Sequence, residues 1–282
     1  MTRRILVLGL AAIAIVLVSA CTSHVQTTSG RAYLEKYPVA NDLGRTNSNG
    51  GVDTGQRSID ARVRTVAAVE PTLRFPARIG LARIHNAKLS GIPPLEADAW
   101  MQAAERMGPT FGTFVPVSRL VAEMVTTPWD AKSRPSSYYD HQTTALHRVM
   151  EKIRLGAARQ HLDAVLVYEV YGESEQHGNL AGALNFTIIG AFMLPGESVR
   201  AKGFASALLV DVRNGYPYGT VRKVLTHEEI TPSAGSSDVR RAAQRATTIG
   251  AAVALVPEVE KMMEKLRASL AKLEAAAATK RP

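Results

Sequence analysis

The sequence predicts an α/β (or α+β) fold: one domain of two or three layers, with a mixed sheet, a β-hairpin near residues 204–226 and a long C-terminal helix. Three observations carry this. Tyr138 to His161 places Leu146, Val149, Met150, Ile153 and Ala157 on one helical face, and the nearly continuous apolar run Ala164 to Tyr171 follows after a Leu162-Asp163 turn. Phe204 to Val212 and Tyr218 to Leu225 flank Asn214-Gly215, the strongest short hairpin signal. From Asp238 to Ala275 the pattern is helical, with Pro257 dividing or kinking it.

The elements follow in chain order. Arg3-Arg4, an apolar run from Ile5, and small residues up to Ala20 have the marks of a secretory signal peptide. The run ends short of the roughly 20 residues that span a bilayer. Val18-Ser19-Ala20-Cys21 resembles the lipobox of bacterial lipoproteins, in which the cysteine is lipidated and becomes the mature N-terminus. That resemblance makes residues 1–20 a leader and Cys21 a lipidation site. Because Thr22 rather than an aspartate follows, it also implies an outer-membrane anchor facing the periplasm.

Thr22 to about Gln56 is rich in Thr, Ser, Gly and Asn, with little apolar periodicity. Residues 21–57 therefore read as the anchor plus a flexible tether, with a reach of roughly 30–35 Å. Order is expected from residue 58 to 275, with 276–282 as a disordered tail. Ile59, Val63 and Val66 have helical spacing, and Glu70-Pro71 ends that piece. Phe75 to Ile84 alternates as a strand does. Pro93-Pro94 opens a helix through Met107, where a missing N–H costs nothing. Thr113 to Val117 reads as a short strand. Leu184 to Leu194, broken by Gly190, reads as another strand, the glycine marking a bulge or a close backbone approach. Gly203 precedes the next strand, and its expected role is fold geometry. In the last helix, Val259, Met263, Leu266, Leu270 and Leu273 step by three and four. The stripe is too short for a coiled coil and is expected to pack on the sheet.

Composition excludes several chemistries. Cys21 is the only cysteine, so a disulfide, a thiolate metal site and a second cysteine nucleophile are ruled out. The net charge of +9 would suggest nucleic acid in a cytosolic protein. Behind a lipobox, the anionic neighbours are lipid headgroups, lipopolysaccharide, peptidoglycan or an acidic protein, and nucleic acid is not expected. There is no Gly-x-Ser-x-Gly elbow, Walker loop or His-Glu-x-x-His helix. His147 and Glu151 lie one helical turn apart with His141 and Asp140 nearby, which is half of a metal site or a solvated face. His227-Glu228-Glu229 reads as a charged strand end. Asp211, inside Leu208-Leu209-Val210-Asp211-Val212-Arg213, must face solvent, pair with a cation or have a raised pKa. Arg213, two residues on and on the same face, is placed to pair with it, a structural reading preferred over a catalytic carboxylate. No catalytic residue, cofactor or metal is assigned.

Phe75 to Leu81, Leu162 to Val167, Thr187 to Ala191 and Ala207 to Val212 together resemble the rhombotarget lipoproteins. More broadly, the order of elements is similar to the α/β domain of the curli-secretion lipoprotein, the penicillin-binding-protein activator lipoproteins and the N-terminal domain of the Tol system's propeller protein. These resemblances imply binding or assembly in the envelope rather than turnover. The expectation is a non-enzymatic outer-membrane lipoprotein that is held by its lipid, meets a periplasmic protein and has scope to oligomerise. Two alternatives stand beside it: a subunit of an oligomeric export pore, with Leu184–Leu194 entering the membrane, and a metal-dependent enzyme using His141, His147 and Glu151.

Overall fold

A computed structural model describes residues 22–36, 54–125, 138–178, 197–231 and 236–279 of the 282-residue chain. The strands are β1 (Thr22–Val25), β2 (Ala77–His85), β3 (Lys88–Ser90), β4 (Gly112–Pro116), β5 (Ala164–Gly178), β6 (Glu197–Asp211) and β7 (Pro217–Thr231). The helices are α1 (Gly30–Glu35), α2 (Thr54–Ala67), α3 (Pro94–Met107), α4 (Arg119–Met124), α5 (Tyr138–Arg159) and α6 (Ser236–Thr279).

Among the described residues the strands form one mixed sheet in the order β1-β7-β6-β5-β2. The outer edge of β2 is shared by β4, which is parallel to its first half, and β3, which is antiparallel to its end. β2 and β5 are parallel, with β3, α3, β4, α4 and α5 lying between them in the chain. β5, β6 and β7 are antiparallel and remain paired as a three-stranded ribbon from Ala164 and Asp211 out to Gly178, Glu197 and Thr231.

Alternation along the strands divides the core into two sides. Ile79, Leu166, Tyr168, Ala205 and Leu209 meet Leu255, Val259, Met262, Met263 and Leu266 of α6, together with Trp100 of α3. Ile84, Val165, Val167 and Val210 meet Ala122 of α4 and Val149, Ile153 and Ala157 of α5. The result is three layers, as expected from a central strand apolar on both faces. The α6 stripe packs on its own sheet, and Leu273 at its far end is exposed.

The close approach of α6 rests on glycines. Gly172 and Gly203 face each other across β5 and β6. A Cβ on Gly203 would lie 2.0 Å from Thr247 O, and one on Gly172 would lie 2.3 Å from Thr248 Oγ1. Gly203 sits inside β6 rather than before it, and its role is helix–sheet contact.

The structure departs from the sequence reading in several places. The expected tether is partly ordered, since β1 joins the sheet and α1 packs beside α2. Its polar residues are held through backbone pairing, which leaves no apolar period to detect. The expected disordered tail begins too early, because α6 continues to Thr279 through an alanine-rich stretch of high helix propensity. Pro257 lies inside α6 without dividing it. Burial of Val256 and Val259 on either side offsets a proline cost of about 3 kcal/mol. The α2 helix forms, but its stripe does not reach the core: Val63 and Val66 are exposed. His227-Glu228-Glu229 lies near the end of β7, as expected, paired with Ala201, Arg200 and Val199 in turn. Leu184–Leu194, with Gly190, lies outside the described residues.

Candidate functional site

The segment that follows Cys21 is built into the body. Thr22, Ser23, His24 and Val25 pair with Arg222, Val221, Thr220 and Gly219. The Gln26 N–H then donates to Tyr218 O at 2.8 Å, and the Tyr216 hydroxyl donates to Thr28 O at 2.8 Å. Ser29 caps α1: its Oγ accepts from the Ala32 N–H at 3.2 Å and donates to Glu70 Oε1 at 3.0 Å. The Arg31 N–H donates to the same carboxylate oxygen at 2.9 Å. Glu70 thus places a negative charge at the start of α1, where helix N–H groups have no partner of their own. The Arg31 amide, followed by the Ser29 hydroxyl, holds its carboxyl below the ordinary glutamate value of 4.5 against the opposing effect of burial. The Asn214 side-chain amide donates to Glu70 O at 2.7 Å and ties this clasp to the β6–β7 turn. Cys21 itself lies outside the described residues and immediately precedes Thr22 in the chain.

Asp211 corrects an expectation. It is fully buried, and its partner is not the Arg213 side chain. Oδ2 accepts from the hydroxyls of Tyr218 and Thr72, each at 2.8 Å, and Oδ1 accepts from the Arg213 N–H at 2.8 Å. The Tyr218 hydroxyl also accepts from the Leu73 N–H at 2.6 Å and the Thr72 N–H at 2.8 Å. Neutral donors from the hairpin turn and the 72–73 loop satisfy this carboxylate, a solution that strand periodicity cannot reveal. Burial, followed by the Asp211 carboxylate, pushes the Tyr218 phenol well above its usual range. The Arg213 guanidinium instead pairs with Asp163 at 2.6 Å.

His147 and Glu151 sit on α5 and are exposed. They edge a groove of about 930 Å³ between α5 and the β6–β7 turn, together with His161, Asp163 and Arg213. The side chain of His141 lies outside the described residues. Among the described residues, no group of three or more His, Cys, Asp or Glu is placed to hold a metal. Asp163, which lines the groove along with Glu151, already accepts from Arg213 and from the Arg78 N–H at 2.8 Å.

Two features were missed by the sequence reading. Arg83 of β2 forks onto Glu96 of α3, Nε to Oε2 at 2.9 Å and Nη2 to Oε1 at 3.2 Å, and the Tyr168 hydroxyl donates to the same Oε2 at 2.9 Å. Glu96 is 2 % exposed, so this is a buried ion pair joining two strands and a helix. Its only sequence signal was the polar Arg83 inside an apolar strand. The second feature is an apolar cavity of about 730 Å³, lined by Tyr33 of α1, Val63, Val66 and Val69 at α2, and Tyr216 and Pro217. The exposed stripe of α2 opens into it.

No protein-family model matches the chain, and a search of curated proteins finds no match, so the rhombotarget resemblance has no support from a family model. Among solved structures, the chain is similar to the PelC dodecamer from Paraburkholderia phytofirmans at 12% identity, covering 68% of this chain and 91% of that one, with a TM-score of 0.27. A hypothetical protein from Chlamydia trachomatis is similar at 11% identity, covering 66% of this chain and 97% of that one, with a TM-score of 0.25. Among the described residues, no helix is long and apolar enough to cross a membrane.

Proposed function

We propose that this chain is an outer-membrane lipoprotein, lipidated at Cys21 and facing the periplasm, that works without catalysis as a binding or assembly factor in the cell envelope. The observation that carries this reading is the junction itself. A lipobox-like Val18-Ser19-Ala20-Cys21 is followed, with no intervening linker, by a strand hydrogen-bonded into the sheet. A lipid on Cys21 would therefore hold the folded body close to the bilayer, and what the chain supplies is position. The open apolar cavity between α1 and α2 is the surface best suited to a protein partner, since it combines exposed Val63 and Val66 with the aromatic rings of Tyr33 and Tyr216.

In-cell crosslinking with mass spectrometry, comparing the full chain with Cys21→Ser, tests this. The expected result is an acyl-modified Cys21 and a recurrent periplasmic partner that is lost from the membrane fraction in the variant. An unmodified Cys21 in the mature protein would sink the reading.

A second reading, a subunit of an oligomeric export pore, has one observation in its favour. β5 and β6 remain paired as far as Gly178 and Glu197, with the apolar Leu184–Leu194 in the chain between them. Light scattering of the lipidated protein in detergent decides: a monomer removes the pore.

A further inference from the structure

The start of β1 fixes which part of the body meets the bilayer. Thr22 is paired with Arg222, so any lipid on Cys21 leaves the protein at that point of the sheet. It lies on the side toward which β7 continues into the long ribbon and away from the Asn214-Gly215 turn. Thr22, Thr220, Arg222, Val224 and Thr226 alternate onto the α5 side of the sheet, together with Phe204 and Ser206 of β6 and Glu169 and Tyr171 of β5. Near the turn this face is covered by α5, whose Val149 and Ile153 pack there. Among the described residues it is open toward Thr22. Tyr171, 43% exposed, stacks on Phe204 with ring centroids 4.8 Å apart, and the Arg222 guanidinium lies 5.6 Å over the Phe204 ring. Glu169 is exposed beside them and accepts from Ser206 Oγ at 3.4 Å. An apolar groove of about 480 Å³ adjoins, with Leu146 and Met150 of α5 on one side and Thr22 and Arg222 on its rim.

We propose that this open face is a phospholipid-binding surface that lies against the headgroup layer beside the Cys21 anchor. The proposal rests on lipidation at Cys21. Two aromatic rings, one of them a tyrosine with a polar tip, have the chemistry that settles at a membrane interface. Arg222 offers a fork to a headgroup phosphate, and Glu169 offers a carboxylate to a headgroup ammonium. The occupant that matches both is a zwitterionic headgroup such as that of phosphatidylethanolamine. With Thr22 already paired in the sheet, a lipid on Cys21 brings the Thr22 end of the sheet, which this face adjoins, close to the bilayer.

The test uses the chain's cysteine count. Acylated Cys21 carries no free thiol, so one introduced cysteine is labelled alone. Thr226→Cys reports on the proposed face. Arg159→Cys, at the end of α5 and next to Gln160, which bonds to Pro116 of β4 at the opposite edge of the sheet, reports on the far side. Each lipidated full chain is placed in vesicles of phosphatidylethanolamine and phosphatidylglycerol carrying a nitroxide on the headgroup, and quenching of a fluorescent label is read. Several-fold stronger quenching at position 226 than at 159 is expected. Adding Tyr171→Ser and Phe204→Ser to the Thr226→Cys chain is expected to lower its quenching by about half, with the circular dichroism spectrum unchanged. Equal or inverted quenching at the two positions, or no response to loss of the two rings, overturns the surface. The mass of the N-terminal peptide separates the two failures: an absent acyl group removes the anchor reading, whereas an acylated chain with equal quenching removes only the surface.

Discussion

Tyr218 and Asp211 face each other across the base of the β6–β7 hairpin, hydroxyl to carboxylate at 2.8 Å, in a region where both side chains are buried. The same hydroxyl receives two backbone N–H groups from residues 72 and 73. One phenol therefore connects the hairpin turn to the loop that precedes β2. Tyr218→Phe removes a donor from a buried carboxylate and an acceptor from two amides. A loss of about 2–4 kcal/mol in unfolding free energy is expected from such unmet groups. Urea denaturation of the mature domain checks it.

Glu96 and Arg83 form the other buried polar joint. Replacing Glu96 with Gln leaves the Arg83 guanidinium, 11% exposed, without its counter-charge. Breaking one side of such a pair costs about 3–5 kcal/mol, while exchanging both residues for apolar ones of similar volume costs much less. Thermal unfolding of Glu96→Gln beside the double variant Arg83→Met, Glu96→Leu checks the difference. Similar losses in the two proteins would contradict it.

Gly203→Ala tests how α6 lies on the sheet. The added Cβ would meet the Thr247 carbonyl, a backbone group that cannot rotate away. About 1–3 kcal/mol of destabilisation is expected, as in other overpacked contacts. Faster amide exchange along residues 243–252 would accompany it. Gly91→Ala, where nothing lies within 4 Å, serves as the neutral comparison.

The clasp at Glu70 is pH-dependent with a defined sign. Its carboxyl is held below 4.5 when docked, so the docked state gains stability above that value and loses it as pH falls through the lower, docked value. The carboxyl is partly exposed, so solvent screening limits the effect to about 1 kcal/mol or less. Hydrogen exchange over residues 22–35 should be pH-insensitive, after correction for intrinsic rates, from neutral pH down to about 5 and should rise below 4.5. Glu70→Gln should raise exchange there at all pH values and flatten the dependence. An unchanged profile in the variant would show that β1 pairing alone holds the segment.

Much of the architecture was legible without coordinates. Leu146 to Ala157 and Ala164 to Tyr171 have periods that specify a helix against a doubly buried strand, and that unit is α5–β5. Asn214-Gly215 set the hairpin because a tight turn needs a positive φ, and Gly215 has φ 79°. These signals are local, and a single chain displays them. The lipobox-like string ending at Cys21 is likewise local, so it can be read directly as an expectation.

What the sequence determined by itself was therefore the α5–β5 unit, the β6–β7 hairpin and the long last helix, together with the expectation of an anchor at Cys21. Only the tertiary structure decided that Thr22–Val25 is a strand rather than a tether, that Asp211 meets Tyr218 rather than Arg213, and that Tyr171, Phe204 and Arg222 gather beside Thr22. Each of these depends on groups far apart in the chain meeting through backbone pairing or neutral hydrogen-bond donors. Such partners leave no periodicity, because the geometry that joins them exists only once the sheet has formed.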